Sequence, residues 1–363
     1  MAIKKIAILT GGGDCPGLNP VIRAVVKTAI TKYGLEVMGV KNGYRGLYLG
    51  ELVPLTLENI SGILHKGGTI LYSSNKDNLF DYPFEENGKI VKKNVAHVGV
   101  ENLKKFGVDA LIVVGGDGTL TSARDFSRLG VNVIGVPKTI DNDLYSTDFT
   151  FGFDTAVGVV TECIDRLHST AESHHRAIVV EVMGRYAGWI ALHSGVAGGA
   201  DCILIPEIPY DIDKVCEAVE NRKKQGKQFS IICVAEGAKS ITGEISVMKV
   251  IEDSADPIRL GGIGAKIAED IEKKTGVESR ATVLGHIQRG GTPSSYDRIL
   301  STKYGATAVE MIMDGKFGNM VTLKGNEMSY DTLENVIGNK TKTVDPNCEL
   351  VRIAKDIGIS FGD

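Results

Sequence analysis

The chain has 363 residues, is 43% hydrophobic and 24% charged, and contains 44 glycines, a soluble globular balance long enough for two lobes. A formal net charge of -4 and the lack of a basic block argue against a nucleic-acid surface, which selects for clustered Lys and Arg. The six scattered cysteines form no C-x-x-C pair, and no run approaches the roughly 20 apolar residues of a membrane span, so reduced thiols and a cytoplasmic location are expected.

The first strand is expected in IKKIAILT. It runs into the loop TGGGDCPGLNP, residues 10–20, and a helix with Asn19 as N-cap, Pro20 at its first helical position and Gly34 beyond its end. Further strand-like runs, LEVMGV, DALIVVGG, VNVIGV, RAIVVEVMG, ADCILIPE and FSIICVAEG, alternate with helical stretches. That alternation predicts an α/β fold with a mostly parallel sheet. The rhythm breaks at LYSTDFTFGFDT, residues 144–155, where a crossing between lobes is expected, and residues 238–262 read as a mixed polar excursion. The end of the chain reads as a short amphipathic helix and a tail.

Polar groups collect where these strands stop, the edge at which open α/β sheets bind ligands. In TGGGDCPGLNP, glycines let backbone N–H groups approach an anion at a helix N-terminus, although a structural glycine turn explains the residues equally well. In GGDGT, residues 115–119, Asp117 suits Mg²⁺ and Gly118 leaves room for a bulky group; the plainer reading is an Asp that caps the next helix. PKTIDND, residues 137–143, offers Lys138, Thr139, Asp141 and Asp143, which suffice to position a hydroxyl, accept its proton and offset phosphate charge, or to form an Asx-rich turn. Downstream, Arg176, Arg185, Glu236, Arg280, His286 and Arg289 flank apolar runs. An acidic set before residue 143 and a basic set after residue 176 suit a metal-bound phosphate donor beside an anionic acceptor.

In this order and spacing, TGGGDCPGLN, GGDGT, PKTIDND, EVMGRYAG, GGADCILIPE and GHIQRGG resemble the 6-phosphofructokinase family over nearly the whole chain. The resemblance implies a two-lobed, three-layer α/β/α sandwich. Residues 1–152 plus about 289–340 would form a nucleotide-binding lobe, and residues 153–288 plus about 341–363 a sugar-phosphate-binding lobe. It implies Asp141 as the base for the sugar's 1-hydroxyl and Asp117 as the Mg²⁺-associated carboxylate. Asp143 and Thr139 would support the metal and the transferring phosphoryl, whose oxygen the Gly12 N–H would meet, and Gly118 and Thr119 would complete the ATP site. Met183, Gly184, Arg185, Glu236, His286 and Arg289 would hold fructose 6-phosphate, with Arg176 and Arg280 reaching in from a neighbouring subunit of a homotetramer.

On the donor, the resemblance speaks twice. Gly118 stands where pyrophosphate-dependent relatives carry Asp, which favours ATP, whereas Lys138 is shared with the pyrophosphate enzymes and with some ATP-dependent branches. Asn75 replaces an arginine found in many relatives, so Lys138 or Lys76 is expected to supply the missing charge. At the family's basic effector cluster Arg23 and Lys27 remain, while Leu57, His168, Gln225 and Phe229 take the other matched places, so weak effector binding is expected. NAD and lipid kinases share GGDGT without the arginine-rich segments, and a non-catalytic sensor would have no need of Asp141.

Overall fold

The computed structural model describes residues 3–75, 77–86, 88–243, 247–250, 258–338 and 341–363. The chain divides into two compact units: Met1–Ile140, Leu144–Gly152 and Arg289–Lys340 form one, and Asp141–Asp143, Phe153–Gln288 and Thr341–Asp363 the other.

In chain order the first unit contains β1 (Lys5–Thr10), α1 (Leu18–Tyr33), β2 (Glu36–Val40), α2 (Tyr44–Leu49) and β3 (Leu52–Leu55). A hairpin of β4 (Tyr82–Glu86) and β5 (Lys89–Lys93) follows, then α3 (Ala96–Lys105), β6 (Ala110–Gly115), α4 (Asp117–Arg128) and β7 (Val133–Pro137). The second unit holds α5 (Phe153–His174), β8 (Ala177–Val182), α6 (Trp189–Ala197), β9 (Cys202–Leu204), α7 (Ile212–Lys224) and β10 (Ser230–Ala235). It continues with β11 (Val247–Val250), β12 (Ile258–Leu260), α8 (Ile263–Thr275), β13 (Ser279–Val283) and a 3₁₀ turn at Gly285–Arg289. The chain returns to the first unit for α9 (Ser295–Met313), β14 (Asn319–Lys324), β15 (Glu327–Thr332) and α10 (Leu333–Val336), and ends in the second with α11 (Glu349–Asp356).

The first unit is built on a seven-stranded sheet in the order β15-β14-β7-β6-β1-β2-β3, parallel except for its two edge strands. Side chains alternate across a strand, and both faces are buried. Ala7 and Leu9 of β1 pack with Tyr44, Leu103, Leu120 and Phe126 from α2, α3 and α4, while Ile6 and Ile8, fully buried on the other face, point to the layer that contains the packed pair α1 and α9. The second unit repeats this scheme on a four-stranded parallel sheet, β13-β8-β10-β9. There α7 and α8 cover Val179 and Ile232, and α5 and α6 cover the opposite face. The three layers expected from the resemblance are present in each unit. No helix among the described residues is long and apolar enough to cross a membrane.

One local expectation changes. The N-cap of α1 is Gly17, not Asn19. Gly17 sits at φ 113 with Phe151 and Ser301 so close that a Cβ would lie 2.6 Å from each, so only glycine enters the helix this way. Asn19 is instead buried in the first turn, where its amide donates to the Lys66 and Gly67 carbonyls and accepts from the Ile70 N–H. The stretch 238–262 contains the β11–β12 hairpin.

Candidate active site

The first unit places three glycine-bearing segments at the carboxyl ends of neighbouring strands. Gly11 follows β1 and donates its N–H to Val114 of β6 at 2.9 Å. Thr119 is the wedge beneath both strand ends. A Cβ on Gly11 would lie 2.6 Å from the Thr119 methyl and one on Gly115 2.3 Å from it, so both glycines are required by packing. The Thr119 carbonyl accepts from the Tyr44 hydroxyl at 2.9 Å. Thr119 is thus mostly buried and shapes the loop from below.

Gly12 takes φ 78, and its N–H donates to the Ser74 carbonyl at 3.0 Å. That bond links the glycine loop to its neighbour, and Ser73 strengthens the link by donating to the Gly12 carbonyl at 2.6 Å. Two cations flank the same loop. Lys138 is buried, with Nζ 2.5 Å from the Gly13 carbonyl oxygen and 3.4 Å from where a Gly12 Cβ would stand. Arg289 lies on the other side, its Nη1 2.5 Å from where a Gly13 Cβ would be. The loop thereby gains two positive charges beside glycine backbone, a setting for an anionic group. Asn75 is exposed, and Lys76 lies outside the described residues.

Asp117 is the first residue of α4, with Gly116 as N-cap, and it is exposed. A Cβ on the neighbouring Gly118 would meet nothing within 4 Å. No cluster of three or more His, Cys, Asp or Glu side chains occurs among the described residues. The exposed Asp117 carboxylate fits a divalent metal whose remaining oxygen ligands are phosphate and water.

The chain leaves the first unit between Ile140 and Asp141. Thr139 stays in the first unit, where its carbonyl accepts from Thr150 at 2.7 Å, and Lys138 bridges to Phe151. Asp141 and Asp143 belong to the second unit and flank Asn142, buried in the left-handed region at φ 52, a conformation Asn tolerates better than most residues. The Asp143 carbonyl accepts from Lys342 N–H at 2.8 Å, and the Lys342 carbonyl accepts from the Trp189 indole at 2.9 Å. Beside them His193 packs edge-on to Phe153, and burial, then the Lys342 charge, lower its pKa. A lowered folded value means that its contribution to stability is present above the ordinary value near 6.5 and is lost as pH falls through the folded one. Accordingly the urea midpoint should fall on acidification from pH 7 to 5.5, and a His193→Gln variant should show a shallower fall; an identical pH profile would refute this.

In the second unit Met183, Gly184 and Arg185 follow β8, Glu236 follows β10, and His286 lies in the 3₁₀ turn after β13. Backbone bonds stitch these ends together: Glu236 N–H to Val182, Gly237 N–H to Gly184, and Leu284 N–H to Glu181. A Cβ on Gly237 would lie 2.0 Å from the Arg185 carbonyl oxygen. Gln288, fully buried, joins two of the loops by accepting from Met183 N–H at 3.2 Å and donating to the Gly285 carbonyl at 3.0 Å. Sequence reasoning missed this residue, since nothing in its type announces burial. The Arg185 guanidinium lies over the Tyr186 ring, and His286 is exposed.

Arg176 and Arg280 are not with this group. They sit at the amino ends of β8 and β13 and share Glu278, at 2.8 and 2.5 Å. The six residues of β8 at about 3.3 Å each, roughly 20 Å, separate Arg176 from Met183, and Arg280 is level with Ile178, near the start of that strand. Arg289 falls in the first unit, beside Gly13.

A glycine loop flanked by cations on one α/β unit and a polar strand-end rim on a second define a phosphotransfer enzyme. The chain belongs to the phosphofructokinase family, whose model matches residues 5–312. It is 70% identical over 363 residues, 99% of either chain, to the ATP-dependent 6-phosphofructokinase 2 of Clostridium perfringens. It is 52% identical over 329 residues to the pyrophosphate–fructose 6-phosphate 1-phosphotransferase of Amycolatopsis mediterranei, covering 89% of this chain and 92% of the other. Among solved structures, phosphofructokinase from Saccharomyces cerevisiae matches 92% of this chain and 45% of its own, with a TM-score of 0.78 and 33% identity.

Proposed function

We propose that the chain is an ATP-dependent 6-phosphofructokinase, which transfers the γ-phosphoryl of ATP to the 1-hydroxyl of fructose 6-phosphate and releases fructose 1,6-bisphosphate and ADP, a step of glycolysis in the cytoplasm. The observation that carries the donor is the open space at Gly118, where a Cβ would have met nothing within 4 Å and would have stood beside Asp117. The relative at 70% identity, named as ATP-dependent, supports it. Asp117 would hold Mg²⁺, which when bound offsets the phosphate charge.

Asp141 takes the proton of the 1-hydroxyl as its oxygen bonds to the γ-phosphorus, the β–γ bridging P–O bond breaks, and ADP departs with the electron pair. Thr139 and Asp143 orient the transferring group and would support a metal bound with it. Met183, Gly184, Arg185, Glu236 and His286 hold the sugar phosphate, joined by Arg289. Arg176 and Arg280, at the far end of the same strands, come from a neighbouring subunit, which makes the active enzyme an oligomer and, by the family resemblance, a homotetramer. Purified protein supplied with ATP, Mg²⁺ and fructose 6-phosphate should form fructose 1,6-bisphosphate, detected through aldolase coupling; no product would reject the reading.

Lys138 carries the charge missing at Asn75. Its ammonium is already at the Gly12–Gly13 loop, so Lys138→Ala is expected to lower turnover about 10²-fold, the scale for one lost donor to a developing anion; unchanged turnover would remove it from catalysis. The same lysine favours the second reading, a pyrophosphate-dependent phosphotransferase on the same sugar.

Regulation by nucleoside diphosphate or phosphoenolpyruvate is expected to be weak. In the effector region of the second unit Phe229 meets His168 edge-on at 5.9 Å, and Arg222, 5.5 Å over the Phe229 ring, pairs with Asp201 at 2.7 Å. Sigmoidal kinetics relieved by nucleoside diphosphate would contradict this.

A further inference from the structure

Tyr72 combines three properties that its place in the fold does not require. Its backbone is in the left-handed region at φ 60, which a bulky residue adopts only under strain and which Gly adopts freely. Its side chain is 61% exposed, so the ring adds nothing to the core. The Lys41 ammonium stands over that ring, 4.9 Å from its centroid, and is itself held by the Ile70 carbonyl at 3.2 Å. Strain held at a functional rim points to a function rather than to stability.

The surroundings locate that rim. The Tyr72 carbonyl accepts from the Thr10 hydroxyl at the end of β1 at 2.8 Å, and the next two residues bind Gly12 through its N–H and carbonyl. Lys41 is the first residue after β2. In the sheet order β7-β6-β1-β2, β7 leads into the turn that carries Asp141, while β6 and β1 end in the two glycine loops. A donor whose reacting end lies toward β7 and whose phosphates lie along β6 and β1 extends its nucleoside toward β2, where the exposed ring stands.

We infer that Tyr72 is a specificity-determining residue for the nucleotide donor: its ring, backed by Lys41, is the platform on which the purine base stacks. The inference rests on the ATP-dependent reading above. It distinguishes a nucleotide from pyrophosphate, which has no base to place there.

The test is steady-state kinetics of the full-length wild type, Tyr72→Gly and Tyr72→Phe, with ATP and then UTP as donor. Glycine relieves the backbone strain, so Tyr72→Gly should fold with an unchanged or higher Tm. Its KM for ATP should rise about ten-fold, the size of one lost base–ring stack, and far more than kcat falls. The KM for fructose 6-phosphate should stay within two-fold, the preference for ATP over the smaller base of UTP should shrink, and Tyr72→Phe should match the wild type. A Tyr72→Gly enzyme whose KM for ATP is within two-fold of the wild type overturns the inference alone. So does a Tyr72→Phe enzyme impaired as much as Tyr72→Gly. A wild type that does not turn over ATP overturns the donor reading itself and the inference with it.

Discussion

Asp141→Ser is expected to lower kcat by about 10²–10⁴-fold, the usual contribution of a positioned general base, while the dissociation constant for fructose 6-phosphate stays within a few-fold of the wild type. The separation follows from the architecture. Asp141 sits on the turn after β7, held through Asn142 in its left-handed conformation and through the Asp143 carbonyl bond to Lys342. The groups proposed to hold the sugar phosphate follow β8, β10 and β13 and are stitched by their own backbone bonds. Removing one carboxylate from the first set leaves the second intact. Calorimetric titration with fructose 6-phosphate and a single-turnover assay read the two quantities independently; near-normal turnover would remove Asp141 from the chemistry, and lost binding would make it a sugar ligand.

The second large effect is expected at Gly118. In the Gly118→Asp variant the new side chain enters open space, takes an ordinary backbone conformation and stands in the first turn of α4, where an acidic residue is favoured by the helix dipole. The variant should therefore fold at least as well as the wild type. Its kcat/KM for ATP should nonetheless fall by about 10²-fold or more, because a second carboxylate beside Asp117 sets like charge against the nucleotide's phosphates, a juxtaposition worth several kcal/mol. Pyrophosphate, which is shorter, should be affected less. An unchanged kcat/KM for ATP in a well-folded variant would separate Gly118 from donor choice.

Much of this was legible in the amino-acid order because parallel strands announce themselves as apolar runs, and in these folds chemistry collects at their carboxyl ends. DALIVVGG and VNVIGV became β6 and β7, and GGDGT and PKTIDND lie where those strands stop. What stayed hidden was whatever depends on contacts distant in sequence. Gly17 rather than Asn19 caps α1 because Phe151 and Ser301 crowd the entrance, and neither is near it in the chain. That Thr119 is also the wedge that two glycines close upon is visible only in the fold. The Gly12 N–H is committed to Ser74, 62 residues away. The roles of Gln288 in joining two loops and of Trp189 in holding the Lys342 segment were invisible, since a buried amide and a lone indole carry no sequence pattern. The strain at Tyr72 is a backbone property and cannot be read from residue type at all.

The most direct test of the central claim is a comparison of initial rates with ATP and with pyrophosphate, on the same purified protein, at saturating fructose 6-phosphate and with Mg²⁺ present. The account predicts a kcat/KM for ATP at least 10²-fold above that for pyrophosphate, as the open site at Gly118 requires. A preference for pyrophosphate would contradict it and would make Lys138, rather than Gly118, the residue that sets the donor.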